Sequence, residues 1–368
     1  MSSKGVVGKT RRRFSLHHLH YPYPFQNNSS PLPIRYPLKF FLPLKMAAKD
    51  DELDFEYPTY FRVYKNGRVE RLEGNESLPV GVDPQTGVTS KDVTDIVPGT
   101  EVYVRIYLPK LSNSSNTQKL PLLVYTHGGG FCHFSPSSAL YHNYLNALVA
   151  ESQVVAVSVH YRRAPEHPLP VPYEDSWAAL QWVASHRSGD GPEAVLNQHA
   201  DFRRVFLAGD SAGGNIAHNL AMRAGSADAG LNLEILGIAL VDPYFWGSKP
   251  VRSELLDPDG KAFGDQLWRL LSQSSGLDHD DPKINPVAEG GPSLSGLGCR
   301  RVLVSVAEKD ILRDRGRLYF EVLGGCGWMG MVEIHEVEGE GHCFHLFDLN
   351  HEKAKERMRR MSDFFNRH

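Results

Sequence analysis

Three side chains of types that together can break an ester stand at the ends of separate apolar runs. Ser211 lies in Gly209-Asp210-Ser211-Ala212-Gly213, a fit to G-x-S-x-G. Asp310 closes Glu308-Lys309-Asp310, and His342 closes Glu338-Gly339-Glu340-Gly341-His342. A serine hydroxyl becomes an effective nucleophile when a base takes its proton. Neutral His342 can do so, while Asp310 can fix the imidazole tautomer and stabilise the imidazolium that forms. The tetrahedral oxyanion then needs hydrogen-bond donors. His127-Gly128-Gly129-Gly130-Phe131 offers consecutive N–H groups with no side chains in the way. The N–H of Ala212, with those of Gly129 and of Gly128 or Gly130, would hold the oxyanion; one such donor is typically worth about 3 kcal/mol. Taken alone, the glycine run reads equally as a flexible turn.

These groups need particular elements to position them. Val205 to Ala208 reads as a buried parallel strand and Ile216 to Met222 as a helix, so the serine motif falls on a strand–turn–helix. The turn must be sharp, with Ser211 strained and any side chain at 209 or 213 colliding with its neighbours. The following helix points its N-terminus at the developing negative charge. Leu122 to Tyr125 delivers the glycine run, Arg301 to Val306 delivers Asp310, and Val332 to Val337 delivers His342. Val154 to His160 and Ile235 to Val241 read as further strands. Helices are expected from Glu174 to Ser185, from Arg313 to Leu323 and over 351–366. This alternation implies an α/β fold: one mostly parallel sheet with helices on both faces, its strand C-terminal ends sharing a rim. Phe61–Tyr64 and Val69–Leu72 flank Asn66-Gly67 as a tight hairpin, and Val102 to Leu108 is another strand. Ser112 to Asn116 reads as a loop. The hairpin and residues 247–298, with a helix near Phe263 to Leu271, read as additions at one edge of the sheet.

Other assignments compete for the same residues. Asp314 could replace Asp310 but would lie on the helix rather than at the strand end. His345 follows Phe344 and reads as a packing or capping residue. Asp210 reads as structural, orienting the turn. Cys343 beside His342 lacks a second ligand pair with metal spacing, so no metal is expected. Gly324-Gly325-Cys326-Gly327 ends a helix instead of opening one, unlike a phosphate loop. Asp278 to Asp281 lacks calcium-loop spacing.

The chain has 368 residues, 41% of them hydrophobic, enough for one large core or two small ones. Its formal charge of −3 conceals an asymmetry. Residues 1–45 carry eight basic side chains and no acidic one, which leaves 32 basic against 43 acidic, about −11, over the remainder. An acidic body argues against nucleic acid and anionic membrane partners. The scattered Cys132, Cys299, Cys326 and Cys343 fit a reducing compartment. No stretch approaches the roughly 18 apolar residues of a transmembrane span, and Pro43 breaks the run Phe40-Phe41-Leu42. Residues 1–45 read as a disordered basic extension or a transit-like segment. The protein is expected in the cytoplasm, or in a plastid or mitochondrion if that segment acts in import. Without a secretory signal, the glycosylation sequons at Asn27, Asn28, Asn75 and Asn113 read as chance. Nothing in the sequence fixes an oligomeric state.

Several motifs together carry a resemblance. His127-Gly-Gly-Gly-Phe131, Tyr161-Arg-Arg-Ala-Pro-Glu-His-Pro168, Gly209-Asp-Ser-Ala-Gly-Gly-Asn215 and Asp242-Pro243-Tyr244 resemble the hormone-sensitive-lipase-type α/β-hydrolases. Tyr64-Lys-Asn-Gly-Arg-Val-Glu-Arg71 is similar to the plant carboxylesterases of that family, a likeness covering about residues 50–367. The resemblance implies an α/β-hydrolase domain over 46–368, with a lid drawn from about 46–60 and 247–298. It also implies ester hydrolysis of a small-molecule substrate without a cofactor. Phe131, Tyr244, Phe245 and Trp246, beside the rim, are expected to line the substrate pocket. Arg163 stands where the family usually has an apolar residue, which should disturb local packing rather than catalysis. Two branches of the family do other things. The gibberellin-receptor branch lacks the catalytic histidine and the third glycine, whereas His342 and Gly130 are present here. The hydroxyisoflavanone-dehydratase branch does lyase chemistry; threonine at the nucleophile position would favour it, and Ser211 favours the esterase. A transacylase on the same scaffold is a further alternative.

Overall fold

Short β-branched and aromatic runs alternate with longer helical stretches along the chain, and the elements follow that alternation. The computed structural model describes residues 52–58, 60–72, 76–111, 119–273 and 275–367, all within the unit Lys49–His368. The first strands are β1 (Leu53–Tyr57), β2 (Phe61–Tyr64), β3 (Val69–Arg71), β4 (Thr89–Val93), β5 (Tyr103–Leu108) and β6 (Leu120–Thr126). There follow α1 (Ala139–Ser152), β7 (Val155–His160), α2 (Val171–Ala184), α3 (Ala194–His199), β8 (Ala200–Asp210), α4 (Ala212–Ala224) and β9 (Gly237–Val241). The chain continues through α5 (Arg252–Leu256), α6 (Pro258–Ser272), β10 (Arg301–Ala307), α7 (Arg313–Gly325), β11 (Met331–Val337) and α8 (Glu352–Asn366).

Eight strands form one sheet in the order β11-β10-β9-β8-β6-β7-β5-β4. Neighbours from β11 to β7 run parallel, whereas β5 is antiparallel to both β7 and β4. The central strands are covered on both sides, as their continuous apolar runs require. Leu122, Val124, Val205 and Leu207 point into a core shared with Trp177, Leu180, Ile216, Leu220 and Leu323. Leu123, Tyr125, Phe206 and Ala208 point the other way, towards Tyr141, Tyr144, Leu148, Met361 and Phe364. α2, α4 and α7 thus cover one face, α1 and α8 the other.

Two expectations change. The hairpin exists, but β1 joins it as a three-stranded sheet, β1-β2-β3. This small sheet is not an addition at an edge of the large one, whose outer strands are β4 and β11. Its buried Phe55, Phe61 and Val63 form an apolar face that needs a cover. Phe55 and Tyr57 therefore pack on Phe263 of α6, and Tyr60 on His133 and Phe134 beside the glycine run. The helix in 247–298 begins earlier than expected. Asp257 caps it by accepting the Gly260 N–H at 3.0 Å, and Pro258 opens its first turn. Residues 1–51, including the basic extension and the first part of the expected lid, lie outside the described residues, as do the loop at 112–118 and the asparagines of all four sequons.

Candidate active site

Ser211 sits between the end of β8 and the start of α4 with φ 51° and ψ −120°, a region that non-glycine residues rarely occupy. Its backbone is held on both sides: its N–H donates to the Val241 carbonyl, and the Tyr244 N–H donates to its own carbonyl, each at 2.9 Å. The flanking glycines are sterically required. A Cβ at position 213 would stand 1.9 Å from the Thr126 carbonyl oxygen, and one at position 209 would stand 2.4 Å from the Gly213 carbonyl carbon. Strand β6 and the turn therefore touch backbone to backbone, and Thr126 Oγ1 donates to the Gly213 carbonyl at 2.7 Å.

The structure brings Ser211, Asp310 and His342 together. His342 Nε2 lies 3.0 Å from Ser211 Oγ, and Nδ1 lies 2.7 Å from Asp310 Oδ2. With Nδ1–H donating its hydrogen bond to the Asp310 carboxylate, Nε2 carries the lone pair that can accept the serine proton. Asp310 follows β10 and is itself fixed, Oδ1 accepting the Leu312 N–H at 3.0 Å. Burial disfavours a charged His342 ring, but Asp310 first, then Asp242 and Asp210, outweigh it and the pKa is pushed up to about 9. Asp314 lies in the first turn of α7 and is engaged by the Ser253 N–H and Arg313. His345 is buried edge-on against Tyr144; burial first, then Arg357, holds its pKa well below the ordinary histidine value. Ligand atoms of Asp242, His342 and Cys343 lie within 4.8 Å of one another. Asp242, however, already accepts Arg357 Nη1 at 2.7 Å and the Cys343 N–H at 2.9 Å, so it reads as an anchor for the histidine loop.

The glycine run forms a loop after β6, with Gly129 at φ 92° and Gly130 at φ 59°. Cys132 and His133 N–H groups both donate to the Gly129 carbonyl. One expectation is corrected here. The Gly128 N–H donates to Tyr141 Oη at 2.8 Å and is committed, so it cannot serve an oxyanion. The N–H groups of Gly129, Gly130 and Ala212 remain; the last belongs to the first turn of α4, where no intrahelical acceptor exists. His127 is buried and stacks on Tyr161 with centroids 4.3 Å apart, while Tyr161 Oη donates to the His127 carbonyl at 2.8 Å.

The four expected pocket residues are all buried and divide into two groups. Phe131 packs on Tyr173 and Tyr244, and Trp246 packs on Tyr244 while donating from Nε1 to Asp265 at 2.8 Å. Phe245 instead lies between His218 of α4 and Tyr319 of α7, within the helical layer. Over Gly130 stand Leu267 and Tyr57, 3.4 and 3.5 Å from where its Cβ would be. Arg163, expected to disturb packing, is accommodated by donating to the Phe134 carbonyl at 2.9 Å. Sequence reasoning missed Tyr57, Tyr141, Leu267 and Arg357, and took Asp242 only as part of a motif. For Tyr141 the available signal was an unassigned polar-apolar stretch soon after the glycine run.

A family model for the alpha/beta hydrolase fold matches residues 123–346. A protein named Probable carboxylesterase 13 from Arabidopsis thaliana is 48% identical over 324 residues, covering 86% of this chain and 98% of the relative. A 2-hydroxyisoflavanone dehydratase from Glycyrrhiza echinata is 44% identical over 318 residues, covering 85% and 96%. Among solved structures, a hyperthermophilic esterase from the archaeon Pyrobaculum calidifontis superposes with a TM-score of 0.61 at 28% identity, covering 75% of this chain and 84% of that one. By its sheet, its motifs and these relatives, the chain belongs to the α/β-hydrolase fold family, among the plant carboxylesterases of the hormone-sensitive-lipase type.

Proposed function

We propose that this carboxylic-ester hydrolase works through an acyl-enzyme, with Ser211 as nucleophile, His342 as general base and then acid, and Asp310 as its orienting acid. The observation that carries the reading is the hydrogen-bonded chain Ser211–His342–Asp310, at 3.0 and 2.7 Å, beside the unengaged Ala212 N–H. His342 takes the hydroxyl proton as Oγ attacks the ester carbonyl. The N–H groups of Gly129, Gly130 and Ala212 stabilise the oxyanion. Protonation of the leaving alkoxide by His342 frees the alcohol, and water activated by the same ring then releases the acid. Apart from the water consumed in releasing the acid, each step draws on this chain's own groups. Phe131, Tyr244 and Trp246, with Tyr57 and Leu267, form the wall against which the ester's carbon skeleton packs.

The dehydratase relative supports a second reading, in which His342 abstracts a carbon-bound proton and no acyl-enzyme forms. Initial rates on an acyl-ester panel alongside a hydroxyisoflavanone, for wild type and Ser211→Ala, separate the two. Ester turnover lost in Ser211→Ala is the expected result. Dehydration by the wild type, with no ester hydrolysed, reverses the assignment. No helix of the described residues is long and apolar enough to cross a membrane. We place the enzyme in the cytoplasm, with a plastid or mitochondrial location following if residues 1–45 direct import; fluorescent fusions with and without those residues test this.

A further inference from the structure

The oxyanion donors come from two chain segments: Gly129 and Gly130 from the loop after β6, and Ala212 from the head of α4. Tyr141, 1% exposed in the first turn of α1, stands between them. Its hydroxyl accepts the Gly128 N–H at 2.8 Å and donates its one proton to Asp210 Oδ2 at 2.7 Å. Gly128 immediately precedes the loop donors, and Asp210 immediately precedes the nucleophile. The two segments are in contact here, since a Cβ on Gly128 would sit 2.4 Å from Asp210 Oδ2. Within the loop, the Cys132 and His133 N–H groups hold the Gly129 carbonyl and so the peptide plane of the Gly130 N–H; what that local turn does not set is how the loop as a whole sits against the elbow.

We propose that Tyr141 is a positioning residue for the oxyanion site: its hydroxyl fixes the glycine loop against the elbow so that the three N–H groups converge on one oxygen. This rests on the reading of Ser211 as nucleophile. Tyr125 supplies an internal control. Its hydroxyl also donates to Asp210, at 2.7 Å on Oδ1, but does not touch Gly128. Loss of either phenol removes a donor from the same buried carboxylate, and only loss of Tyr141 frees the loop.

The test compares Tyr141→Phe, Tyr125→Phe and Ser211→Ala on p-nitrophenyl butyrate. It also measures inhibition by an alkyl trifluoromethyl ketone, which adds to a serine to give a bound oxyanion. Tyr141→Phe is expected to lower kcat about 10- to 100-fold, with KM within about twofold and ketone affinity reduced by the same factor as kcat. Tyr125→Phe is expected to stay within about threefold of wild type on all three readouts. Equal losses in the two phenylalanine variants, or a Tyr141→Phe effect confined to KM, overturn the proposal. If Tyr141→Phe does not fold, 3-fluorotyrosine at 141 keeps ring and hydroxyl while weakening the oxygen as an acceptor. A kcat loss there but not with 3-fluorotyrosine at 125 supports the proposal, and equal values overturn it. Hydrolysis persisting in Ser211→Ala would instead remove the nucleophile reading, a separate failure.

Discussion

The charge on His342 sets how the enzyme should respond to pH. Its side chain is 28% exposed and bonded to Asp310 at 2.7 Å, with Asp242 and Asp210 also acting on it. Burial opposes the imidazolium, yet the carboxylates prevail and carry the pKa from 6.5 to about 9. At 1.36 kcal/mol per unit, that is about 3 kcal/mol in favour of the protonated ring. A general base works only when neutral, so about one molecule in a hundred is competent at pH 7. The expected profile of kcat/KM rises about tenfold per pH unit through neutrality and reaches half its plateau near pH 9. Asp310→Asn should move that limb towards lower pH and also depress the plateau, by about 10³- to 10⁴-fold if the ring loses its tautomer. The same shift affects stability with a definite sign. The folded pKa is raised, so the His342 contribution is fully present below pH 6.5 and disappears as pH rises through about 9. The stability advantage of wild type over Asp310→Asn should therefore shrink across that window. Initial rates between about pH 5 and 10 provide the assay, with product measured at one fixed pH and a Ser211→Ala blank subtracted. A wild-type limb at or below pH 6.5, or one unmoved by Asp310→Asn, would refute the electrostatic account.

Three further outcomes follow from packing. Gly213→Ala forces a methyl group to 1.9 Å from a backbone oxygen, so it should cost at least about 3 kcal/mol in denaturant unfolding; stability equal to wild type would refute the elbow contact. Glu254→Gln breaks the buried pair with Arg315, 2.7 Å apart and linking α5 to α7. A loss of about 3–5 kcal/mol and faster hydrogen exchange over 247–256 are expected, and unchanged exchange would show that the pair does not hold the segment. Trp246→Ala empties the space against Gly264 of α6. It should cost about 3–5 kcal/mol and shift preference in an acetate-to-octanoate series towards longer acyl chains; an unchanged series removes Trp246 from the pocket.

The sheet was legible because its central strands are continuous apolar runs, and the three site residues because each stands shortly after a strand, Ser211 directly after β8, Asp310 after β10 and His342 after β11. Helix α1 was not, since Tyr141, His142, Tyr144, Asn146 and Ser152 are all buried and blur its polar face. Strand β4 is mostly polar, Thr-Ser-Lys-Asp-Val, because it is an outer strand with little to cover. The roles of single N–H groups were also out of reach. Three adjacent glycines look equivalent in sequence, and only the distant hydroxyl of Tyr141 separates Gly128 from the other two. Phe245 differs from its neighbours Tyr244 and Trp246 for a similar reason: its partners, His218 and Tyr319, lie far away along the chain.

Arg71, at the end of the small sheet, donates to the Cys132 carbonyl at 2.7 Å and pairs with Glu166 at 2.7 Å. That bond ties the end of β3 to the loop that carries Gly129 and Gly130, so a change in how the small sheet is seated would be transmitted to those two N–H groups.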